Sequence, residues 1–350
     1  MMKARRSFSA TRELGLFALL AVICVGFGAA SENFRDPYNF LDRTRQWVEI
    51  GLIAVPMTFI IATAGIDLSV GSLLALCGIV AGLCFQDLGL PLPVALVCGI
   101  LAGGAGGALN AVAVSGLRVP PLVATLATMA MFRGLAMGLS QAGPVGGFPR
   151  WFTDFGSISA LGTGDYLVPY QLLILMALVA LGVLVFRRTC IGRWTVQMGE
   201  NPKAARFSAV PVNRLLFTLY TGCGLVCGLA AVIYTARFAT ARPDAATGLE
   251  LEVIACVVIG GTRITGGNGS VIGTFLGVLI LGTLRFGMDM SGVLQQYQII
   301  LVGLLVIGTA IANEWLARRN REGLPESVGS QYAARSSPTD SGRLPSGRKI

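Results

Sequence analysis

Four polar side chains lie within or beside long apolar segments of the chain, where a polar group is costly and usually has a function. Asp67 and Ser69 fall in the glycine-flanked stretch AGIDLSVGS, residues 64–72. Asn110 ends a glycine-rich apolar segment, and Arg133 lies within another. Such groups could line a polar pathway, bind a solute or couple an ion or proton. For Asp67 a structural alternative is equally open, because an aspartate in a tight turn also caps the following helix.

Several kinds of chemistry are excluded by residue types that the chain lacks. It has no histidine, which removes imidazole bases, histidine metal sites and Ser-His-Asp hydrolysis. No metal-ligand spacing, nucleotide fingerprint or G-x-x-x-x-G-K-[ST] phosphate loop occurs. We therefore expect no catalytic residue, no metal and no cofactor in this chain, and no hydrolysis of ATP by it. A membrane-embedded enzyme is disfavoured because no nucleophile–base set is present.

Composition predicts an integral membrane protein. Hydrophobic residues make up 54% of the chain and charged residues 13%, whereas about a quarter of the residues of a soluble domain are charged. A membrane-spanning helix needs about 20 apolar residues. Ten apolar segments occur, and the third and eighth are short: Leu14–Ala30, Trp47–Ala64, Ser72–Phe85, Val94–Ser115, Leu122–Leu139, Tyr166–Phe186, Leu215–Ala236, Leu251–Gly261, Val271–Phe286 and Leu294–Ala312. We predict an all-α polytopic fold with about ten transmembrane helices, some of them broken or short.

The basic residues orient these segments. With a cytoplasmic N-terminus, the inner segments hold 19 of the 27 Lys and Arg residues and the outer loops hold six. Positive charge resists translocation, so both termini are predicted to be cytoplasmic. We expect an N-terminal segment (1–13), a transmembrane domain (14–316) with a cytoplasmic loop (187–214), and a disordered basic tail (317–350). The first apolar segment is longer than a signal-peptide core, which favours an uncleaved anchor.

Two glycine-rich breaks interrupt the apolar pattern in similar ways. Residues 64–72 and 260–270 each contain a Gly-Ser pair that is followed by a new apolar segment. Broken helices of this kind surround the central pathway of many transporters, because unwound backbone survives in a membrane only inside protein or along a cavity. The small residues of Gly103–Gly107 instead predict close helix packing, and Asn110 just beyond them could line a pore.

The polar loop 187–214 carries six Lys or Arg residues against one acid, Glu200. Asn201-Pro202 is typical of a helix start, because asparagine accepts hydrogen bonds from free backbone donors and proline has none to lose. A helix this short needs a surface to pack against. That surface could belong to a cytoplasmic partner that grips the loop, or the loop could simply be a connection with no partner.

In a partner contact, Ala204 and Ala205 would allow close approach, while Phe207 would be an apolar anchor and Arg206 a charge partner. The candidate contact segment also includes its first residues, Glu200, Asn201, Pro202 and Lys203.

Four blocks in fixed order resemble the permease subunits of bacterial ABC importers of the ribose, xylose and rhamnose type. They are GIDLSVGSLLAL (65–76), VPPLVATLATMAMFRGLA (119–136), IGRWTVQMGENPKAARFSAVPV (191–212) and VIGGTRITGGNGSVIGTFLGVLILG (258–282). The resemblance covers residues 45–312. A further block, ATARPDAATGLELEVIA (239–255), is similar to rhamnose-type and autoinducer-2-type members.

The resemblance implies a dimeric channel of two identical or similar permease chains in the bacterial inner membrane, surrounded by lipid. A periplasmic sugar-binding protein would deliver the solute, and a separate cytoplasmic ATPase would bind ATP and Mg; nucleic acid has no part. It places the stretch 201–208 in the coupling segment that faces the ATPase. Three positions depart from the family pattern: Ala64 and Ala209 stand where glycine is usual, and Arg263 replaces a small or polar residue.

Two functional hypotheses therefore remain. The favoured one is the permease of an ABC importer for a monosaccharide, either a pentose or a hexose or deoxyhexose such as rhamnose. Autoinducer-2 or another small polar solute is the alternative substrate. The competing hypothesis is an ion- or proton-coupled secondary transporter in which Asp67 or Arg133 carries the coupling. The basic loop with its capped helix favours the first.

Overall fold

The computed structural model describes residues 2–157, 160–161 and 168–322. Its regular secondary structure is helical apart from two short strands, β1 (Ala160–Leu161) and β2 (Val168–Pro169), which pair antiparallel with Ala160 opposite Pro169. A π-helical turn, Val112–Gly116, extends the sixth helix. The helices are α1 (Met2–Ala30), α2 (Glu32–Arg35), α3 (Pro37–Arg43), α4 (Arg45–Ala62), α5 (Val70–Gln86), α6 (Leu92–Ala111), α7 (Pro121–Leu139), α8 (Arg150–Ser157), α9 (Tyr170–Arg188), α10 (Cys190–Glu200), α11 (Pro202–Phe207), α12 (Val212–Phe238), α13 (Leu249–Ile259), α14 (Val271–Met290) and α15 (Gln295–Glu322).

The predicted all-α polytopic architecture is confirmed. Among the described residues, seven helices are long and apolar enough to cross a membrane, namely α1, α4, α6, α7, α9, α12 and α14. Helix α5 and the first part of α15 are shorter apolar helices, and α13 has 11 residues. These ten helices correspond in order to the ten apolar segments. Helix α15 extends to Glu322, and most of the predicted basic tail, residues 323–350, lies outside the described residues.

Helix α13 is a half-length helix within the bundle. At 1.5 Å per residue its 11 residues span only about 16 Å, against about 30 Å for the membrane core. The segment 239–248 supplies the missing length. Near its start, Ala241 pairs with Val145 in an isolated β-bridge beside Gly82 of α5. At its end, Ala246 lies against Gly71, 11 residues earlier in α5 and so about 16 Å deeper. Unwound backbone therefore descends into the protein before α13 begins.

The core is built around α4, α5 and α12. In α4, 83% of the residues are buried. Side chains of the core such as Leu52, Ile60, Leu73 and Ile233 are 0–1% exposed. Pro56 lies inside α4 without ending it, as transmembrane helices tolerate when neighbours surround them. Burial explains why α4 and α5 are apolar all round and lack an amphipathic pattern, whereas α12 also has an outer face with exposed apolar residues such as Phe217 and Leu225.

Helices α6 and α12 pack closely against each other through glycines. A Cβ on Gly103 would overlap the Gly224 carbonyl oxygen, and one on Gly107 would overlap the carbonyl of Tyr220. Gly228 lies equally close to the backbone of α6. Without side chains between them, the two backbones approach closely enough for extensive van der Waals contact. The close packing predicted for Gly103–Gly107 is confirmed.

Helices at the periphery present apolar side chains outward. Such a belt is what lipid tails require, because apolar surface facing lipid carries no cost. Large exposed apolar residues are concentrated on α1, α7, α9 and α15 and include Leu14, Phe17, Val22, Val25, Leu122, Val123, Leu126, Met131, Leu135, Leu173, Met176, Leu181, Leu184, Ile299, Ile300, Leu304, Ile307 and Ile311.

Candidate functional site

The first break lies between α4 and α5 and holds Asp67 in a buried position. Helix α4 ends at Ala62, and Ala64 then adopts a left-handed conformation with φ of 64°. Asp67 is 2% exposed. Its Oδ1 accepts hydrogen bonds from the Ser69 amide at 2.9 Å and from the Ser69 hydroxyl at 2.6 Å. The carboxylate therefore organises the turn into α5, as the structural alternative for Asp67 anticipated.

Asp67 also bonds across the bundle to α6. The Asn110 Nδ2 donates to the Ser69 hydroxyl at 2.8 Å and lies 3.4–3.5 Å from the two Asp67 carboxylate oxygens. The Asn110 Oδ1 in turn accepts from the Thr128 hydroxyl of α7 at 2.6 Å. Asp67, Ser69, Asn110 and Thr128 thus form one buried network, which we call the Asp67 network. It joins the first break to two neighbouring helices.

Sequence reasoning brought forward three members of this network and missed Thr128 and its neighbours. Thr125, one turn earlier in α7, donates to the Ile66 carbonyl of the break at 3.2 Å. Thr125 and Thr128 are the only polar residues between Pro121 and Arg133, and their spacing of three puts them on one helix face. This spacing is the sequence feature from which a polar face of α7 could have been predicted.

A buried tyrosine adds a hydrogen-bond donor beside the network. Tyr220 of α12 is 0% exposed, and its hydroxyl has no hydrogen-bond partner among the described residues. A Cβ added to Gly65 would come within 3.0 Å of that hydroxyl, so the glycine lets the break pass close to α12. The Tyr220 hydroxyl is therefore a polar donor near Asp67 that no other described residue uses.

The second break, residues 260–270, lies directly against the first. The Gly267 amide donates to the Ala62 carbonyl at 3.0 Å, which satisfies one of the free carbonyls at the end of α4. Gly261, Gly266 and Gly267 have φ values of 76–83°, a conformation that favours glycine. Ser270 then caps α14, its hydroxyl accepting from the Gly273 amide at 3.0 Å. The two breaks that the sequence presents as similar are neighbours in space.

Helix α1 is bonded to the second break from the predicted cytoplasmic side. The Arg12 Nη2 donates to the Gly260 carbonyl at 3.0 Å, at the C-terminal end of α13. A guanidinium is favourable there because it faces the negative end of the helix dipole. Glu13 accepts from the Ser270 hydroxyl at 2.8 Å and pairs with Arg187 at 3.4 Å. The first helix thus fixes both ends of the break.

The polar loop folds into two helices, and its predicted cap is confirmed. The Asn201 Oδ1 accepts from the amides of Lys203 and Ala204, each at 3.0 Å, and Pro202 is the first residue of α11. Phe207, the last residue of α11, is 93% exposed. Candidate contact residues exposed to solvent are Glu200, Asn201, Pro202, Lys203, Ala204, Arg206 and Phe207.

Ala205 differs from the other candidates in this loop. It is 2% exposed and belongs to the main apolar core, so it packs α11 onto the protein's own surface. The contact of Ala205 with the core fixes the orientation of α11. The other residues of the helix are exposed to solvent. The expectation that Ala205 offers close approach to a partner is therefore replaced by an internal packing role.

The loop and the two breaks are in direct contact. Gly199, near the end of α10, lies so close to the Ala62 carbonyl and the Gly267 amide that a Cβ would overlap both. A Cβ on Gly267 would in turn meet the Cγ of Glu200 at 2.8 Å. A displacement of the loop toward the membrane would therefore push directly on the end of α4 and on the second break.

Arg133 lies apart from the Asp67 network. Its Nη1 donates to the carbonyls of Pro243 and Ala245 at 2.6 and 2.8 Å, which are backbone acceptors of the descending segment 239–248. Glu250 at the start of α13 lies near enough to interact with it electrostatically. Arg133 thus faces the bundle, where it holds the entry to α13 in place.

The same segment carries an exposed ion pair at its outer end. Arg242 donates to both oxygens of Asp244, at 3.0 and 2.8 Å. This bidentate geometry gives the pair two charge-assisted hydrogen bonds. Among the described residues, no group of three or more His, Cys, Asp or Glu side chains is placed to hold a metal ion.

Comparisons with known proteins identify the family of the chain. Residues 39–310 match the family described as branched-chain amino acid transport system, permease component. The autoinducer 2 import system permease protein LsrD of Escherichia coli strain K12 is 39% identical over 329 residues, covering 89% of this chain and 98% of the relative. LsrD of Shigella flexneri matches with the same identity and coverage. The chain belongs to this family of ABC importer permeases. No solved structure matches it.

The family match sets the boundaries of the permease unit. It begins within α3 and ends within α15, so it includes both breaks, the polar loop and the descending segment. Helix α1 lies before it, although Arg12 and Glu13 bond directly to the second break. In this permease the first helix therefore supports the matched unit from outside. As transporters, permeases of this family are not enzymes themselves.

Proposed function

We propose that the chain forms the translocation channel of an ABC importer for a small sugar-related solute in the bacterial inner membrane. Two permease chains, identical or similar, would surround the pathway. A periplasmic binding protein would deliver the solute, and a cytoplasmic ATPase that binds ATP and Mg would supply the energy. Family membership supports import. The partners and the solute are inferred.

The observation that carries the proposal is the position of α11 above the two breaks. The helix is capped by Asn201 and seated on the protein by the buried Ala205, while Phe207 projects fully into solvent. Through Gly199, the base of this loop touches both the end of α4 and the second break. A partner that binds α11 and moves it would therefore act directly on the interrupted helices.

The exposed face of α11 suits a protein partner. An isolated phenylalanine at 93% exposure is unfavourable in water, and an aromatic anchor beside a basic residue such as Arg206 is typical of interface hot spots. Lys203 adds a second positive charge on the exposed surface. These features favour an apolar pocket with acidic neighbours on the ATPase.

A secondary transporter is less well supported by the acidic residues inside the bundle. A coupling carboxylate must exchange its ion or proton during the cycle. Asp67 instead accepts two short hydrogen bonds from Ser69, and Glu49, 1% exposed in α4, pairs with Arg237 at 3.0 Å. Both carboxylates therefore have structural partners in this conformation.

Two observations bear on the solute. The four sequence blocks resemble permeases for monosaccharides, whereas relatives at 39% identity are named for autoinducer 2 import. We propose autoinducer 2 as the first candidate, because that similarity extends over 98% of the relative. A monosaccharide is the second.

Reconstitution of the permease with its ATPase and binding protein in proteoliposomes tests the proposal. We expect solute uptake that requires ATP and persists when ionophores abolish ion gradients. Among autoinducer 2, ribose, xylose and rhamnose, the transported solute should be the one whose unlabelled form competes for this uptake. Uptake driven by an ion gradient without ATP would refute the proposal in favour of a secondary transporter.

A pair of variants isolates the role of α11. Phe207→Asp should insert and fold normally, because the side chain contacts little of its own chain, yet lose ATPase association by about tenfold or more. Ala205→Glu should instead destabilise the permease itself, since it buries a charge. Normal association of the Phe207→Asp variant with the ATPase would indicate that the loop is a connection with no partner.

A further inference from the structure

A cavity with a mixed polar and apolar lining opens on the predicted outer side, away from both the Asp67 network and α11. It lies among the start of α4, the last turns of α14 and the start of α15, and its volume is about 600 Å³. Cavities of 300–1,000 Å³ are typical of sites for small ligands. Cys256 of α13 lines its inner end, so the cavity extends from the surface to the half-length helix.

The lining combines two aromatic side chains, Trp47 and Phe286, and several aliphatic ones with a group of hydrogen-bonding residues. Trp47 forms part of the wall, and it is otherwise packed so closely that a Cβ on Gly282 would overlap its ring. Gln46, Asp289 and Gln298 contribute amide and carboxylate groups. Gln298 is 8% exposed, so at least one of these polar side chains is held inside the fold.

The charges of the lining are internally paired. Arg43 lies 3.5 Å from Asp289, and Arg285 lies 2.7 Å from Glu252. The Gln298 Nε2 also donates to Asp289 at 2.7 Å, which leaves carboxylate lone pairs free to accept further bonds. An ionic ligand would have to compete with these pairs, whereas a neutral ligand with hydroxyl groups could add bonds to them. The chemistry therefore favours a neutral solute.

We propose that this cavity binds a small, neutral, polyhydroxylated solute within the permease before the solute reaches the interrupted helices. Hydroxyl groups would donate to Asp289 and to the Gln298 Oε1, because both hydrogens of the Gln298 Nε2 are bonded to Asp289 and the Val293 carbonyl. They would accept from the amide nitrogen of Gln46, while the apolar face of the solute would lie on Trp47. The proposal rests on the proposed import function and adds a binding site in this chain to it. Helices α13 and α14 both line the cavity and flank the second break. A bound solute would therefore act on the same break that the polar loop contacts.

Saturation-transfer NMR on the full-length permease in lipid nanodiscs tests the site without partners. The probes are ribose, rhamnose and autoinducer 2, with gluconate and glucosamine as charged counterparts. We expect saturable binding of at least one neutral probe. Its Kd should rise about tenfold, or 1.4 kcal/mol, in Asp289→Asn and in Gln298→Leu. Asp87→Asn, an exposed carboxylate at the outer end of α5, serves as the matched control and should leave the Kd unchanged.

Four results would overturn the proposal: no saturable binding of any neutral probe, equal binding of a charged counterpart, a Kd unaffected by both cavity variants, or displacement by a short-chain phosphatidylcholine, which would make this a lipid site. ATP-driven uptake by the complete system is measured in parallel. Uptake without binding to the permease alone overturns the cavity site and leaves the import function intact. Binding without ATP-driven uptake supports the site and contradicts the import function.

Discussion

The Asp67 network makes a quantitative prediction about Asn110. Asn110→Leu keeps a similar branched shape and removes the donor to the Ser69 hydroxyl, the weaker bond to Asp67 and the acceptor for Thr128. Interhelical hydrogen bonds in membrane proteins average about 0.6 kcal/mol and reach about 1.7. A bond to a charged group is worth about 1.5–3 kcal/mol. Because the substitution removes both short bonds and the longer, weaker bond to the carboxylate, we expect a destabilisation of about 2 kcal/mol.

The same geometry predicts that the effects of neighbouring substitutions are not additive. Thr128→Val removes the outermost bond of the network together with the longer bond to the Thr125 carbonyl within α7, which should cost about 0.6–1 kcal/mol. In the absence of Asn110 the outermost bond no longer exists, and the Thr128 hydroxyl retains only its 3.2 Å hydrogen bond to the Thr125 carbonyl. The double variant should therefore cost about 2 kcal/mol, close to Asn110→Leu alone.

Reversible unfolding of the purified permease in bicelles, titrated with SDS, measures the four members of this cycle. Thr218→Val is the control: Thr218 is exposed on α12, its hydroxyl donates only to the Arg214 carbonyl of its own helix, and its replacement should change little. A double variant whose cost equals the sum of the two single variants would refute the network. So would a larger cost for Thr128→Val than for Asn110→Leu.

Three further predictions concern packing, the first helix and topology. Gly224→Ala forces a Cβ into the α6 backbone and should destabilise by about 1–3 kcal/mol in the same titration, whereas Gly134→Ala, with nothing within 4 Å, should not. Arg12→Met removes the hydrogen bond to the end of α13, so the rate of amide hydrogen exchange in residues 261–270 should rise about fivefold, equivalent to ~1 kcal/mol. An unchanged rate would contradict the role of Arg12 in holding the second break. In a chain without native cysteines, Trp151→Cys should react with an impermeant thiol reagent in intact cells and Lys203→Cys only after permeabilisation; the reverse pattern would invert the topology.

Features that depend on local sequence were predictable. The apolar segments follow from the length that a membrane requires, and even the short segment at 251–261 corresponds to the half-length helix α13. The Asn201-Pro202 cap depends only on residues within one turn, and the glycine spacing in α6 already indicates close packing. In each case the physical cause lies within a few residues of its effect.

Features that depend on distant contacts were not predictable from one sequence. The hydrogen bond between Gly267 and Ala62 joins residues about 200 positions apart, and nothing local to either residue names its partner. The hydrogen bond from Arg12 to Gly260 is equally remote. The burial of Ala205 has the same origin, because a short helix in a polar loop gives no periodic signal for which face packs inward.

The departures of Ala64 and Ala209 from the glycine pattern of the family illustrate how tertiary contacts compensate for local strain. Both residues are left-handed, with φ of 64° and 58°, where an alanine costs about 1 kcal/mol or more relative to glycine. Each amide is bonded within its own turn, from Ala64 to the Ile61 carbonyl and from Ala209 to the Arg206 carbonyl, and Ala64 also lies directly against Gly266 of the second break. Ala64 lies at the first break and Ala209 at the end of α11, so the strain is located at the two ends of the path that links the loop to the interrupted helices. Backbone strain persists only where neighbouring structure over-determines the conformation. The contacts of Gly199 and Gly267 with Ala62 therefore stabilise the turn at Ala64, and a movement of the loop that loosened them would release that turn first.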